Sequence, residues 1–281
     1  MGTNLEISLC MIVKNEDKVL DGCLKHIHKH VDEIIIVDTG STDGTIEIAK
    51  KYTDKIYGFE WNDDFSAARN FSLQFASKEW ILVQDADEFI QNAYKLRDFL
   101  LNTDCDCVAL SKINTYIDYK LLTDLFEAED LSKLDTLLQD GYSTSQEKIL
   151  RNHCGLKYTG RVHERVFYED LTRPEFTSFP DRLIHLMNLH TKDYKSSFYN
   201  SIGKQALYDG DDNVNLLVRH LLYSLETDNT SEFYDLFDYF SKKIKFESRM
   251  SFLLPEFDKY LGKTTDVCKK RFLDWVSMKE I

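Results

Sequence analysis

Four short apolar runs alternate with helix-like segments across the first ninety residues, and few folds accept that rhythm. Ile7 to Val13 reads as a strand. Asp17 to His30 reads as a helix, with Val19, Leu20, Cys23, Leu24 and Ile27 at helical spacing. Glu33 to Asp38 is apolar almost throughout, as strands buried on both faces are. Thr45 to Tyr52 then reads as a helix, Lys55 to Phe59 as a strand, Phe65 to Ala76 as a helix and Trp80 to Gln84 as a strand. This alternation predicts an α/β fold with a parallel, doubly wound sheet.

Ligands of such sheets bind beyond the carboxyl ends of the strands. Those ends are Lys14-Asn15-Glu16, Asp38-Thr39-Gly40 and Asp85-Ala86-Asp87, so three strands bring polar residues to one edge. The last is the most informative. The aliphatic run Trp80-Ile81-Leu82-Val83 opens onto two carboxylates with one residue between them. That is a way to hold a hard divalent cation, which takes oxygen ligands and keeps room for substrate phosphates. It implies a nucleoside-diphosphate substrate and group transfer.

Each motif also has a plain structural reading. Asp85 and Asp87 suit loop capping. The stretch Asp38 to Thr45 suits a tight turn with Thr42 or Asp43 as helix cap. Asp38 nevertheless ends a buried strand, where a nucleobase or ribose hydroxyl would give its carboxylate a partner. Asp64 suits a helix N-terminus, and Arg69, one turn further in, either pairs with it or reaches a phosphate. Arg161-Val162-His163-Glu164 combines a base, an imidazole and a carboxylate, with Val162 expected to point inward. His185 and His190 follow singly, a placement more often structural than catalytic.

Beyond Asp87 the rhythm changes. Asn92 to Leu101 reads as a helix and Cys107 to Thr115 as a strand. Leu121 to Leu138 reads as an acidic helical excursion or flap. Lys148 to Arg151, Leu156 to Tyr158 and Arg165 to Tyr168 read as short strands. From Ser196 the chain reads as helical, through Val214 to Leu225, Glu232 to Ile244, Met250 to Leu261 and Val267 to Trp275.

A net charge of −13 and a pI of about 5.1 argue against nucleic acid or an anionic membrane surface as partner. No run approaches the ~18 apolar residues of a transmembrane segment, and Met1 to Glu6 lacks the regions of a signal peptide. None of the 6 Cys forms a Cys-x-x-Cys pair, so buried free thiols in a reducing compartment are expected. The expectation is a soluble, cytoplasmic protein, with homo-oligomerisation compatible with the composition.

Together the motifs resemble the family 2 inverting glycosyltransferases of the GT-A fold. The matching segments are Ser8 to Glu16, Ile36 to Thr45, Asp64-Phe65-Ser66-Ala67-Ala68-Arg69-Asn70 and Asp85-Ala86-Asp87-Glu88. Arg151 followed by Gly160-Arg161-Val162-His163-Glu164 resembles a subgroup that includes lipopolysaccharide-core glucosyltransferases and the peptide glycosyltransferases of glycosylated bacteriocins. The resemblance covers roughly residues 5 to 205.

It implies a Rossmann-like, mostly parallel GT-A domain over residues 1–200 and a helical extension over 201–281. It implies a UDP-sugar donor, Mg²⁺ or Mn²⁺, and a peptide or saccharide acceptor. Val13, Asn15 and Glu16 would line the nucleotide pocket, and Asp38 would contact the uracil or ribose. Asp64 and Arg69 would shape the pocket. Asp85 and Ala86 would face the ribose or metal, and Asp87 would hold the ion. Glu164 would be the general base, supported by His163. His190 falls where relatives carry His-Tyr-Gly-Tyr and would approach the metal. This chain has His190-Thr191-Lys192-Asp193-Tyr194 instead, and His185 competes for the role. A sugar-nucleotide nucleotidyltransferase would need a Gly-rich basic loop that residues 10 to 20 lack. A non-catalytic binding module would not need Asp85, Asp87 and Glu164.

Overall fold

The computed structural model of the chain describes residues 5–129, 131–139, 141–187 and 192–209, with single positions in the tail beyond. Two compact units divide the chain: Met1–Thr159 with Glu164–Tyr194, and Gly160–His163 with Lys195–Ile281.

The first unit begins with β1 (Ile7–Val13), α1 (Leu20–Ile27), β2 (Glu33–Asp38), α2 (Thr45–Ala49), β3 (Ile56–Gly58), α3 (Phe65–Leu73) and β4 (Trp80–Val83). These strands lie in the order β3-β2-β1-β4, every pairing parallel, as the alternation predicts. β1 and β2 take the expected bounds, and the other elements are shorter than the periodicity implies. Asp17 and Lys18 stay outside α1 because the loop claims them: the Asp17 N–H donates to Asp43 Oδ2 at 3.3 Å.

Alternation along β1 builds two layers. Ile7, Leu9, Met11 and Val13 join one core cluster with Leu20, Cys23, Leu24 and Ile27 of α1. Cys10 joins the other, with Val37, Val83 and Tyr158. The four α1 residues sit at i, i+3, i+4 and i+7, which is why this face is the buried one.

Next come β5 (Glu88–Ile90), α4 (Leu96–Leu101), β6 (Cys107–Thr115), α5 (Tyr119–Glu127), α6 (Leu134–Leu137), β7 (Tyr142–Arg151), β8 (Leu156–Thr159), β9 (Arg165–Tyr168) and β10 (Phe176–Leu186). Here the sheet turns mixed. β7 runs antiparallel between β4 and β6, β10 is parallel to β6, and β5 is antiparallel on β10. Four of the seven pairings in this eight-stranded sheet are therefore parallel, giving a mixed α/β fold with a mostly parallel sheet. β8 and β9 form a separate antiparallel ribbon.

Three differences from the sequence reading stand out. β5 and β10 are strands with no counterpart in it, and β7 begins six residues before the expected Lys148. The acidic segment after Tyr119 packs into the core instead of forming a flap: Leu122, Phe126, Leu134 and Leu138 are buried. Asp118 caps α5 by accepting from the Leu121 N–H at 3.0 Å. The Tyr119 hydroxyl accepts from the Gly22 N–H at 3.0 Å, and a Cβ on Gly22 would collide with it, so the approach of α5 to α1 requires glycine.

In the second unit, Arg161 Nη1 pairs with Asp209 Oδ2 at 2.8 Å, and His163 stacks near Tyr199 with ring centroids 6.5 Å apart. Val162 is buried, as expected. α7 (Lys192–Tyr208) agrees with the helical reading from Ser196. His190 and most of the helices expected between residues 214 and 275 lie outside the described residues. Among the described residues, five cysteines are free thiols and no helix is long and apolar enough to cross a membrane.

Candidate active site

The carboxyl ends of β1 and β2 are stitched together. Val13 accepts at its carbonyl from the Thr39 N–H at 3.0 Å and the Thr39 hydroxyl at 3.1 Å. Asn15 takes a left-handed backbone (φ 57°), a conformation asparagine tolerates well. Its N–H donates to Ser41 Oγ at 3.0 Å, and its Oδ1 accepts from the Thr42 N–H at 2.8 Å. The Glu16 N–H donates to Thr45 Oγ1 at 2.7 Å. Asp38 folds its carboxylate back onto the turn, accepting from the N–H groups of Gly40 and Ser41 at 3.2 and 3.0 Å. The N-cap of α2 is Gly44, neither Thr42 nor Asp43, while Asp43 accepts from the Thr45 N–H at 3.0 Å.

Asp64 caps α3, accepting from the Ala67 N–H at 2.9 Å. It does not pair with Arg69. Its carboxylate serves the helix end, while Arg69 lies on the buried face and points to the end of β4. There Arg69 Nη1 stands 2.9 Å from Asp85 Oδ1, and Arg69 Nε donates to Glu164 Oε1 at 2.5 Å. One guanidinium thus joins two carboxylates that are 79 residues apart in sequence (164 − 85). Its carbon lies 5.8 Å from the centroid of the Tyr158 ring. Asn70, the next residue, fixes β8 to α3 through two 2.8 Å hydrogen bonds with the Tyr158 backbone.

The turn Asp85 to Glu88 is closed twice. The Glu88 N–H donates to the Asp85 carbonyl at 3.1 Å, and the Asp85 N–H donates to Glu88 Oε2 at 3.0 Å. Glu88 is fully buried. Lys112 Nζ lies 2.9 Å from its Oε1 and Lys148 Nζ 2.9 Å from its Oε2. Lys148 also stands 3.3 Å from Asp85 Oδ2. Burial pushes the Asp85 carboxyl up, but Arg69, Lys148 and Lys112 outweigh it and hold the group well below the usual carboxylate range. Burial likewise raises Glu88, and Lys112 and Lys148 bring it below its ordinary value.

Asp87 is buried and faces a different partner. His185 Nε2 lies 3.3 Å from Asp87 Oδ2. The antiparallel register pairs His185 with Glu88, and the Leu186 N–H donates to the Asp87 carbonyl at 3.0 Å, so β10 fixes this turn. His185 Nδ1 meets Asn114 Oδ1 at 2.7 Å, on the neighbouring strand. With Nδ1 as the donor, Nε2 is directed at the carboxylate. The imidazole nitrogen and the carboxylate oxygen thus stand side by side. An oxygen and a nitrogen donor this close suit a divalent ion of the magnesium or manganese kind. Among the described residues no three His, Cys, Asp or Glu side chains converge as a self-sufficient metal cage.

The model of glycosyl transferase family 2 matches residues 8–144. This segment of the chain is thus similar to glycosyl transferase family 2. Among similar curated proteins, the SPbeta prophage-derived glycosyltransferase SunS of Bacillus subtilis is 38% identical over 165 residues, 56% of this chain and 34% of that protein. A TPR repeat-containing protein of Synechococcus elongatus is 49% identical over 83 residues, 30% of this chain and 21% of that protein. The lipopolysaccharide core biosynthesis glycosyltransferase LpsC of Rhizobium meliloti is 32% identical over 100 residues, 34% of this chain and 36% of that protein. The chain thus spans about a third or less of the length of these relatives.

The structure brings Arg69 and Asp85, inside the matched segment, together with Glu164 beyond it, and sets Asp87 beside His185. Val13, Asn15, Glu16 and Asp38 line the neighbouring strand ends, and Ala86 is buried inside the turn. His163 is exposed, with a left-handed backbone (φ 54°). Lys112, Lys148 and Asn114 were not singled out from the sequence, and Glu88 was named only as the end of the acidic motif, without a role. The available signal was a lysine inside an apolar strand pattern, once on β6 and once just before Ile149-Leu150, because lysines are almost never buried unpaired.

Proposed function

We propose that this chain is a metal-dependent, inverting glycosyltransferase that moves a hexose from a UDP-sugar to a hydroxyl or thiol of a peptide or protein. The observation that carries the reading is the Arg69 clamp. It holds one carboxylate, Asp85, on the donor side and a second, Glu164, where an acceptor would arrive.

The β1 and β2 ends, with Val13, Asn15, Glu16 and Asp38, would take the nucleoside. Asp87 and His185 would hold Mg²⁺ or Mn²⁺. The bound ion supplies positive charge toward the departing diphosphate. Glu164, oriented by Arg69, takes the proton from the acceptor hydroxyl or thiol. The acceptor oxygen or sulfur bonds to the anomeric carbon from the face opposite the nucleotide. The bond from that carbon to the diphosphate oxygen breaks, and UDP leaves with the electron pair. His163, adjacent in sequence, is proposed to support Glu164.

The net charge of −13 favours a basic peptide as acceptor. A second reading, transfer to a cell-surface saccharide, draws on the similarity to LpsC. Thermal unfolding with UDP and UDP-sugars, with and without Mn²⁺, tests the donor: a rise that needs both metal and a uridine compound is expected. Glu164→Gln should keep that rise while transfer falls by about 10²–10⁴-fold. Undiminished transfer by the variant would remove Glu164 from the role.

A further inference from the structure

Lys148 occupies an irregular place. Along the β6–β7 pairing, Val108 faces Ile149 and Ala109 faces Glu147, so Lys148 has no partner on β6. It is the extra residue of a β-bulge, a device that re-aims a side chain out of the strand's alternation. Its ammonium reaches Glu88 Oε2 and Asp85 Oδ2, and its side chain is 4% exposed. Arg69 reaches both oxygens of Asp85, Oδ1 at 2.9 Å and Oδ2 at 3.3 Å, and Lys112 takes the other oxygen of Glu88. All four oxygens of these two carboxylates therefore face cations of the protein. Asp87, between them in sequence, faces an imidazole.

We infer that Lys148 is a positioning residue that keeps Asp85 out of the divalent ion's coordination. The protein alone then binds the ion weakly, and binds it firmly only together with a nucleoside diphosphate. The inference rests on the donor reading above. An ion bridging Asp85 and Asp87 would have to displace both the Lys148 ammonium and the Arg69 guanidinium from Asp85. Affinity for such ions follows the number and charge of their oxygen ligands, and one carboxylate with one imidazole leaves most positions to be filled. Diphosphate oxygens fill them. Ion and nucleotide then arrive and depart as a unit, and Glu88 with Lys112 keeps the turn in place throughout.

The test is Mn²⁺ binding by the whole chain, followed by the electron paramagnetic resonance signal of free Mn²⁺, with and without UDP. The wild type should bind Mn²⁺ at least about tenfold more tightly with UDP. Lys148→Met combined with Glu88→Gln preserves the buried charge balance and removes one of the two cations that an ion would have to displace from Asp85. It should tighten nucleotide-free Mn²⁺ binding about tenfold and flatten the dependence on UDP. Lys148→Arg should behave as wild type. If the double variant does not fold by circular dichroism, Lys148→Gln takes its place. A folded variant with unchanged nucleotide-free affinity overturns the role of Lys148 and leaves the donor reading standing. Wild type that binds no Mn²⁺ even with UDP overturns both.

Discussion

The two ends of the central sheet each bury carboxylates, and they compensate them differently. At the amino end, Glu33 opens β2. It accepts from the Ser8 hydroxyl at 2.5 Å, from the Ser77 N–H and hydroxyl at 2.8 Å each, and from the Lys55 ammonium. Burial raises this carboxyl, but the Lys55 bond and the serine and backbone donors bring it down to about 2. At the carboxyl end, Asp85, Glu88 and Glu164 rely on the full charges of Arg69, Lys112 and Lys148. At the amino end one lysine joins hydroxyl and amide donors around a single carboxylate. Formal cations can be shared with an arriving phosphate. The amino end is thus a fastening, and the carboxyl end a charged cluster built on three cations.

The sharpest way to break this contrast is to remove the shared cation. Arg69→Ala leaves Asp85 and Glu164 short of their common partner and should cost about 3–5 kcal/mol of stability, read by urea unfolding. A loss below about 1 kcal/mol would mean that charge does not hold the carboxyl end together.

The amino end should show itself through pH. Glu33 has its folded value depressed from 4.5 to about 2, so its contribution is present above about 4.5 and lost as the pH falls toward 2. Glu33→Gln should be about 2 kcal/mol less stable than wild type at pH 7, and the gap should close as the pH drops through that window. A gap independent of pH would assign the loss to packing. The smallest effect belongs to the cap of the helix that carries Arg69. Asp64→Ala should cost about 1 kcal/mol, with Asp64→Ser restoring most of it in the same assay.

What the sequence disclosed follows the same division. β1, β2 and β4 are aliphatic runs ending in polar residues, a pattern that specifies both the strand and the edge where ligands bind. β10 is illegible for a local reason. Pro180 interrupts it, where the register with β6 shifts between Ser178 and Arg182, and proline within a run argues against a strand. The early part of β7 is polar, and β5 is three residues long and hidden behind the acidic motif. Asp85, Asp87, Arg69 and Glu164 could be named from motifs. The partner of Arg69 could not, because a local reading favours a residue one turn away, while the tertiary fold supplies one 95 residues distant. Lys148 depends on a bulge, and a bulge has no periodicity to read.

The stitching of the β1 and β2 ends has a consequence for how such domains can be altered. Asn15 meets Ser41 and Thr42, Glu16 meets Thr45, and Asp17 meets Asp43, so every tie is made between the two segments. Though more than twenty residues separate them, they form a single structural unit. A chimera that exchanges one segment for a relative's and leaves the other in place would sever these ties. A crossover that carries both, from before Asn15 to beyond Thr45, would transplant the rim intact.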